Sequence, residues 1–370
     1  MSPVAVYLHT PFCPSKCGYC DFNSYALSTF EGGDIMARTT AATIAELERS
    51  PWAGRPAKTI FFGGGTPTYL PTEDLLSLLE AVMRVHPPVA DAEITSEANP
   101  GTADAEKFCA MREAGFNRLS LGAQSFLDTD LLRLGRIHHS GEIERAVQLA
   151  RDAGFDNVNL DLMFALPGQS KRAWKDNIER AMRLEPEHLS LYCLTLEHNT
   201  PFYREHLRGT LIQPDEDDQV AMYDIALATT QAHGYEQYEI SNFAKPGRQS
   251  QHNLCYWRGE SYASYGPGAV GFMDGVRYTN LKHPERFCDA AERGESIPYE
   301  RESIDAKTHR MERIMLGLRL QEGISIVDNR VERGPLTKMV ERGWVSEEGD
   351  RIRLTAAGRH FCSEVALELI

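Results

Sequence analysis

Between Val4 and Leu196 the sequence alternates short β-rich runs with longer stretches of helical periodicity, and this rhythm restricts the chain to repeated βα units around a parallel sheet. The spacing predicts strands at Val4–His9, Lys58–Phe62, Ala92–Ser96, Arg118–Leu121, Asn157–Met163 and His188–Leu196. Helices are expected near Asp34–Arg49, Thr72–His86, Ala103–Ala114, Gly141–Ala153 and Arg172–Leu184, with Gly115 and Gly154 closing two of them. Six strands joined by right-handed crossovers make an α/β fold, a partial (βα)6 TIM-like barrel. A doubly wound open sheet has the same one-dimensional pattern, so periodicity alone does not choose between them. At 370 residues and 42% hydrophobic, the chain has enough apolar side chains for one such barrel and a small appendage.

The alternation stops after Leu196. A helix is expected near Asp217–Ala232, followed by a segment rich in Gly, Tyr and Trp from Tyr235 to Tyr278. The tail reads as helix (Thr308–Leu320), shorter helix (Pro335–Gly343), hairpin (Trp344–Thr355, turning at Glu348-Gly349-Asp350) and final helix, the order of a small winged-helix-like unit. The expected division is therefore a barrel core over 1–200, an elaboration over 201–300 and a C-terminal unit over 301–370. From Arg301 onward 12 Lys/Arg face 12 Asp/Glu with no basic stripe on one helix, so a structural or docking role is expected for the tail and not DNA binding.

A formal net charge of −14 disfavours nucleic acid as a partner. The N-terminus lacks the layout of a secretory signal and no long apolar run occurs, so a soluble, cytoplasmic protein that is not itself a membrane protein is expected. In that compartment clustered thiols read as metal-binding, and isolated ones as small buried hydrophobes. Cys109, Cys193, Cys255, Cys288 and Cys362 are isolated, whereas Cys13, Cys17 and Cys20 share one short loop after the first strand.

Three thiolates in Cys13-Pro-Ser-Lys-Cys17-Gly-Tyr-Cys20 can each hold one iron of a cubane and leave the fourth iron open to another ligand. A zinc site with His9 as fourth ligand is the alternative, although closed zinc sites usually pair two short two-cysteine knuckles. The Cys-x3-Cys-x2-Cys spacing with Tyr19 before the last cysteine resembles the signature of the radical S-adenosylmethionine superfamily. That resemblance implies a [4Fe–4S] cluster on Cys13, Cys17 and Cys20, with S-adenosylmethionine chelating the open iron.

Parallel βα units place functional residues at the C-terminal ends of strands. Gly63-Gly64-Gly65-Thr66-Pro67 follows the second strand, and Glu97, Gln124 and Asp161 end the next three. Arg136 offers a fork for a carboxylate. Read singly, a glycine run can be only a tight turn and Glu97 only a helix cap. Together with the cysteine loop they resemble the oxygen-independent coproporphyrinogen-oxidase-like family, which implies Tyr7, Gly64, Gly65, Thr66, Glu97, Gln124, Arg136 and Asp161 as the S-adenosylmethionine positions.

Two branches of that family are compared. The coproporphyrinogen III oxidases carry a further cysteine where this sequence has Phe22 and a long N-terminal extension where only twelve residues precede Cys13, so oxidative decarboxylation of coproporphyrinogen III is the alternative reading. His252-Asn-Leu-Cys255-Tyr256-Trp257 resembles the HNxxYW motif of the HemW haem chaperones. The resemblance implies haem as a third ligand, a haem-accepting apo-protein such as a membrane respiratory enzyme as partner, and a place in porphyrin metabolism. His252 is the candidate haem ligand and Cys255 a second one; the plain alternative is a histidine hydrogen-bonded within its loop while Tyr256 and Trp257 pack. No residue is assigned a catalytic role. His138, His139 and the Asp215–Asp218 run are expected to be structural.

Overall fold

The structure, a computed structural model, describes residues 2–30, 34–295 and 297–370. Twelve strands form one sheet: β1 (Val4–Thr10), β2 (Ala57–Gly64), β3 (Pro88–Ala98), β4 (Arg118–Gln124), β5 (Val158–Phe164), β6 (His188–Cys193), β7 (Glu236–Glu239), β8 (Asn242–Ala244), β9 (Tyr262–Tyr265), β10 (Val270–Met273), β11 (Val276–Asn280) and β12 (Pro298–Ser303). Their spatial order is β12-β11-β10-β9-β1-β2-β3-β4-β5-β6-β8-β7. Strands β1 to β6 are the six expected from the sequence, all parallel, with helices on the crossovers. A seventh parallel strand, β9, pairs with β1 after a crossover from the other end of the sheet. The sheet begins at β12 and ends at β7, so it is a partial barrel with two edges, one extended by the β10–β12 meander and the other by the β7–β8 hairpin.

The two faces of the strands differ in chemistry, and this positions the site. Leu119, Leu121 and Ala123 of β4, Val158, Leu160 and Leu162 of β5, and Leu189 and Leu191 of β6 join one core cluster with Ile143, Trp174 and Ile178 of the surrounding helices. The alternate residues, among them Ser120, Gln124, Asn159, Asp161 and Ser190, point to the opposite, inner face, as the two-residue period of a strand requires. Polar side chains thus line the interior while aliphatic ones hold the helices. Asp34, Asp104, Ser170 and Asp215 each accept a backbone N–H three residues on, starting their helices. Asp215 therefore caps a helix, as its acidic run suggested.

Ser303 ends the large sheet and Asp305 caps the next helix, Ala306–Gly317. This helix packs with Arg333–Glu341, Cys362–Leu369 and a three-stranded antiparallel sheet around a separate core that includes Ile314, Met339 and Ile352. Arg319 fastens the unit to the barrel, donating to the fully buried Glu239 at 3.0 Å while its guanidinium lies 4.4 Å over the Trp257 ring. Among the described residues no helix is long and apolar enough to cross a membrane.

Candidate functional site

The cysteine loop leaves the sheet at the C-terminal end of β1. Phe12–Cys13 pairs in parallel with Tyr25–Ala26 and closes the loop, and Lys16 Nζ straps it from inside by donating to the carbonyls of Phe22 and Ser24, both at 3.0 Å. The Gly65 and Thr66 amides donate to Thr10 O and Phe12 O, and the Gly18 amide to Leu134 O, so the loop is fixed to the glycine run on one side and to the Gly135-Arg136 turn on the other. Cys13, Cys17 and Cys20 border one cavity of about 130 Å³. The Thr66 hydroxyl donates to Cys13 Sγ at 3.5 Å, and Arg136 Nη1 to Cys17 Sγ at 3.7 Å. Burial pushes the thiols of Cys13 and Cys20 above their ordinary range, and coordination to a metal would favour their thiolates instead. Three thiols that border one cavity could each meet a different iron of a cluster.

Seven of the eight residues expected around S-adenosylmethionine border the same cavity: Gly64, Gly65, Thr66, Glu97, Gln124, Arg136 and Asp161. The glycines are required by geometry and are not merely a turn. Gly64 sits at φ 103° with its missing Cβ position 2.2 Å from the His9 ring, and a Cβ on Gly65 would lie 2.6 Å from two backbone oxygens. Glu97 Oε2 accepts the Gly64 amide at 3.1 Å. Burial, then the nearby Asp161 carboxylate, pushes the Glu97 carboxyl up to about 8, and burial also raises Asp161. Two buried carboxyl groups facing one cavity are poised for a cationic guest. Arg136 supplies the opposite sign: Nη2 donates to Gly122 O at 2.7 Å, while its buried Nε has no partner among the described residues. Tyr7 does not border this cavity, although the Glu97 charge reaches it and, after burial, raises its hydroxyl. It stands on the inner face of β1, donates from its hydroxyl to or accepts from His9 Nδ1 at 3.0 Å, and borders a different, more apolar cavity.

Sequence reading missed the polar floor of the barrel. Arg118, Ser120, Asn159, Ser190 and Tyr192 border a cavity of about 420 Å³ that also touches Glu97, Gln124 and Asp161. Asn159 Nδ2 donates to Asp161 Oδ1 and to Ser120 Oγ, both at 2.7 Å, and the Nε of the buried Arg118 has no partner among the described residues. The signal was present as polar residues at every second position of strands whose other positions are aliphatic. Of the two histidines read as structural, His138 is buried and bonded to Asn99 and Ala123 O, with burial and Arg136 lowering it to about 4; His139 is exposed.

The candidate haem ligand His252 is placed apart from the cysteine-lined cavity. It lies in the helix Gln251–Trp257, 1% exposed, with Nδ1 bonded to Thr59 Oγ1 and Nε2 to the Tyr256 hydroxyl, both at 2.8 Å. Its ring stacks 4.9 Å from Phe61, and burial followed by the Arg118 and Lys58 charges lowers it to about 3. Neither nitrogen is open to an iron. Cys255 is equally unsuited, being buried, raised to about 11 and donating to Gln251 O. In this arrangement His252 orients Tyr256 through its Nε2.

Comparison with known proteins matches residues 7–181 to the radical SAM superfamily and residues 304–361 to the HemN C-terminal domain. The chain is 37% identical to the protein named Heme chaperone HemW of Bacillus subtilis (strain 168) over 98% of this chain and 97% of that one. It is 38% identical to the Heme chaperone HemW of Escherichia coli (strain K12), over 100% and 98% respectively. Among solved structures, coproporphyrinogen III oxidase (HemN) from Escherichia coli, described as a radical SAM enzyme, superposes with a TM-score of 0.85 over 100% of this chain and 90% of that chain; at 20% identity this likeness concerns the fold.

Proposed function

Since the chain belongs to the HemW family of haem chaperones within the radical SAM superfamily, we propose that it binds haem and delivers it to an acceptor protein. The observation that carries the reading is full-length similarity to haem chaperones combined with a cysteine-lined cavity at the mouth of the barrel. The donor set fits the cofactors the superfamily implies. Cys13, Cys17 and Cys20 would hold a [4Fe–4S] cluster, and Glu97, Asp161 and Arg136 would meet the cationic and carboxylate groups of S-adenosylmethionine. When bound, the cluster supplies an electron donor and an open iron for that ligand.

The chain's own contribution is positioning and exclusion. Arg136 spans Cys17 and the Gly122 carbonyl, so its guanidinium fixes the rear of the cavity, and its Nε, without a partner among the described residues, is a buried donor that an anionic guest would satisfy. Glu97, held by the Gly64 amide beside Asp161, favours a positively charged guest and would ionise on its arrival. Phe22 reaches the rim 61% exposed, bordering both cavities at the barrel mouth. The acceptor is proposed to be a haem-requiring apo-protein such as a membrane respiratory enzyme, met at the cytoplasmic face.

The test is transfer. Haem-loaded protein mixed with haem-depleted respiratory membrane vesicles should reconstitute vesicle cytochromes faster than an equal amount of albumin-bound haem. Equal rates would remove the chaperone reading.

A further inference from the structure

The HNxxYW helix raises a question that His252 does not answer, because Tyr256 and Trp257 turn away from the cysteine cavity and border a separate groove. This groove, of about 490 Å³, runs between β9–β11 and the first helix of the C-terminal unit, Ala306–Gly317. Its volume lies within the roughly 300–1,000 Å³ that accommodates small-molecule and cofactor ligands. The walls are mainly apolar and aromatic. Tyr256 and Tyr262 meet edge to face with centroids 4.7 Å apart, Phe272 stands beside Tyr262 on the neighbouring strand, and Leu316 of the helix also borders the groove. His252 holds Tyr256 in place through its Nε2, so the motif's histidine is a positioning residue for this groove.

Two histidines border the groove, and they differ in what they can offer. His9 is buried with Nδ1 bonded to Tyr7 and Nε2 to Asn23 O. His309 is half-buried, lies against Phe272 with ring centroids 6.0 Å apart, and among the described residues makes no hydrogen bond or ion pair through its ring. It also borders an adjoining cavity of about 670 Å³, so a flat ligand larger than the groove can extend past it. The charged side chains sort the same way. Glu312 is taken by Arg277 at 2.7 Å and Glu260 by Lys58, whereas Arg313 makes no ion pair or hydrogen bond among the described residues. The groove therefore offers aromatic walls, one free imidazole and one free guanidinium.

We propose that this groove carries the haem, with His309 as the axial ligand of its iron and Arg313 as a partner for a propionate. The inference rests on the haem-chaperone reading and assigns it a site distinct from the cysteine-lined cavity. In the binding step an imidazole nitrogen donates its lone pair to the iron and displaces a solvent ligand, with no change of oxidation state. The aromatic residues of β9 and β10 and the helix Ala306–Gly317 would hold the porphyrin between them.

The test is titration of ferric haem into the full-length protein, read by Soret absorption, electron paramagnetic resonance and resonance Raman. His309→Ala should lose the imidazole-ligated signature and weaken affinity by about tenfold or more, the scale on which even an outer partner of a metal ligand matters. Added imidazole should restore the signature in His309→Gly. Arg313→Glu should weaken binding while the signature persists, and the exposed His206→Ala should match wild type. Val270→Trp, which fills the groove from an exposed position, is the second line of attack and should abolish high-affinity binding with circular dichroism unchanged. Wild-type affinity and signature in both His309→Ala and Val270→Trp would overturn the site while leaving the chaperone reading intact. Failure of the wild-type protein to bind haem would overturn the chaperone reading and the site with it.

Discussion

Replacing His252 with Gln should flatten the acid dependence of stability, and the size of the effect follows from where the ring sits. His252 is buried with both nitrogens engaged and titrates at about 3, against roughly 6.5 in an unfolded chain. Its folded value is depressed, so the unfolded state takes up the proton first, and the stability this residue contributes is complete above about pH 6.5 and is lost as pH falls. Between pH 7 and pH 5 the loss is RT ln of the unfolded over the folded proton-binding factors, about 2 kcal/mol. That figure scarcely changes if the folded value is a unit higher, because at pH 5 the folded ring is neutral either way. Gln can meet Thr59 or Tyr256 but does not titrate. Urea unfolding of wild type and His252→Gln, followed by tryptophan fluorescence at pH 7 and pH 5, should therefore show the gap between them shrinking by about 2 kcal/mol at the lower pH. All other histidines cancel in the comparison. A gap that stays constant would refute the buried, neutral, doubly bonded state of this ring.

Three further outcomes are expected. Changing Cys13, Cys17 and Cys20 together to Ala should abolish the iron–sulfur absorption and Mössbauer signature after anaerobic reconstitution, whereas Ala or Ser at the five isolated cysteines should preserve them. Glu97→Gln should raise the dissociation constant of S-adenosylmethionine about tenfold by calorimetry with the cluster absorption unchanged, since the cationic ligand loses a charge-assisted partner; an unchanged constant would move the ligand away from this carboxylate. Gly65→Ala brings a methyl group to 2.6 Å from Thr10 O and Phe12 O, and should cost roughly 1–3 kcal/mol of stability and lower the iron bound per chain.

The six parallel strands were legible because each carries its own signature, an aliphatic set at alternate positions that packs on helices and capping residues that end them. Strands β9 to β12 were not, because they are short, glycine-punctuated and stabilised by partners far along the chain; nothing local in Tyr262–Tyr265 records that it will pair in parallel with Ala5–Leu8. At the site, the cysteine loop and the strand-end residues were visible as motif and spacing. Where the Tyr7 ring sits inside the barrel was not legible, because it depends on which neighbours the ring leans toward, here His9, Phe61 and His252. The state of His252 was hidden for a related reason: whether a nitrogen of this helical histidine is free depends on Thr59, which lies in strand β2, far along the chain. Arg118 and Asn159 could have been found by taking the polar face of each strand as seriously as the apolar one.

The measurement that bears most directly on the central claim is anaerobic turnover of the cluster-reconstituted protein with coproporphyrinogen III, S-adenosylmethionine and a reductant, beside the Escherichia coli coproporphyrinogen III oxidase as control. A haem chaperone should give no protoporphyrinogen while the cluster stays intact and the control is active. Protoporphyrinogen formed at a rate comparable to the control would make this chain an enzyme of tetrapyrrole synthesis and contradict the account.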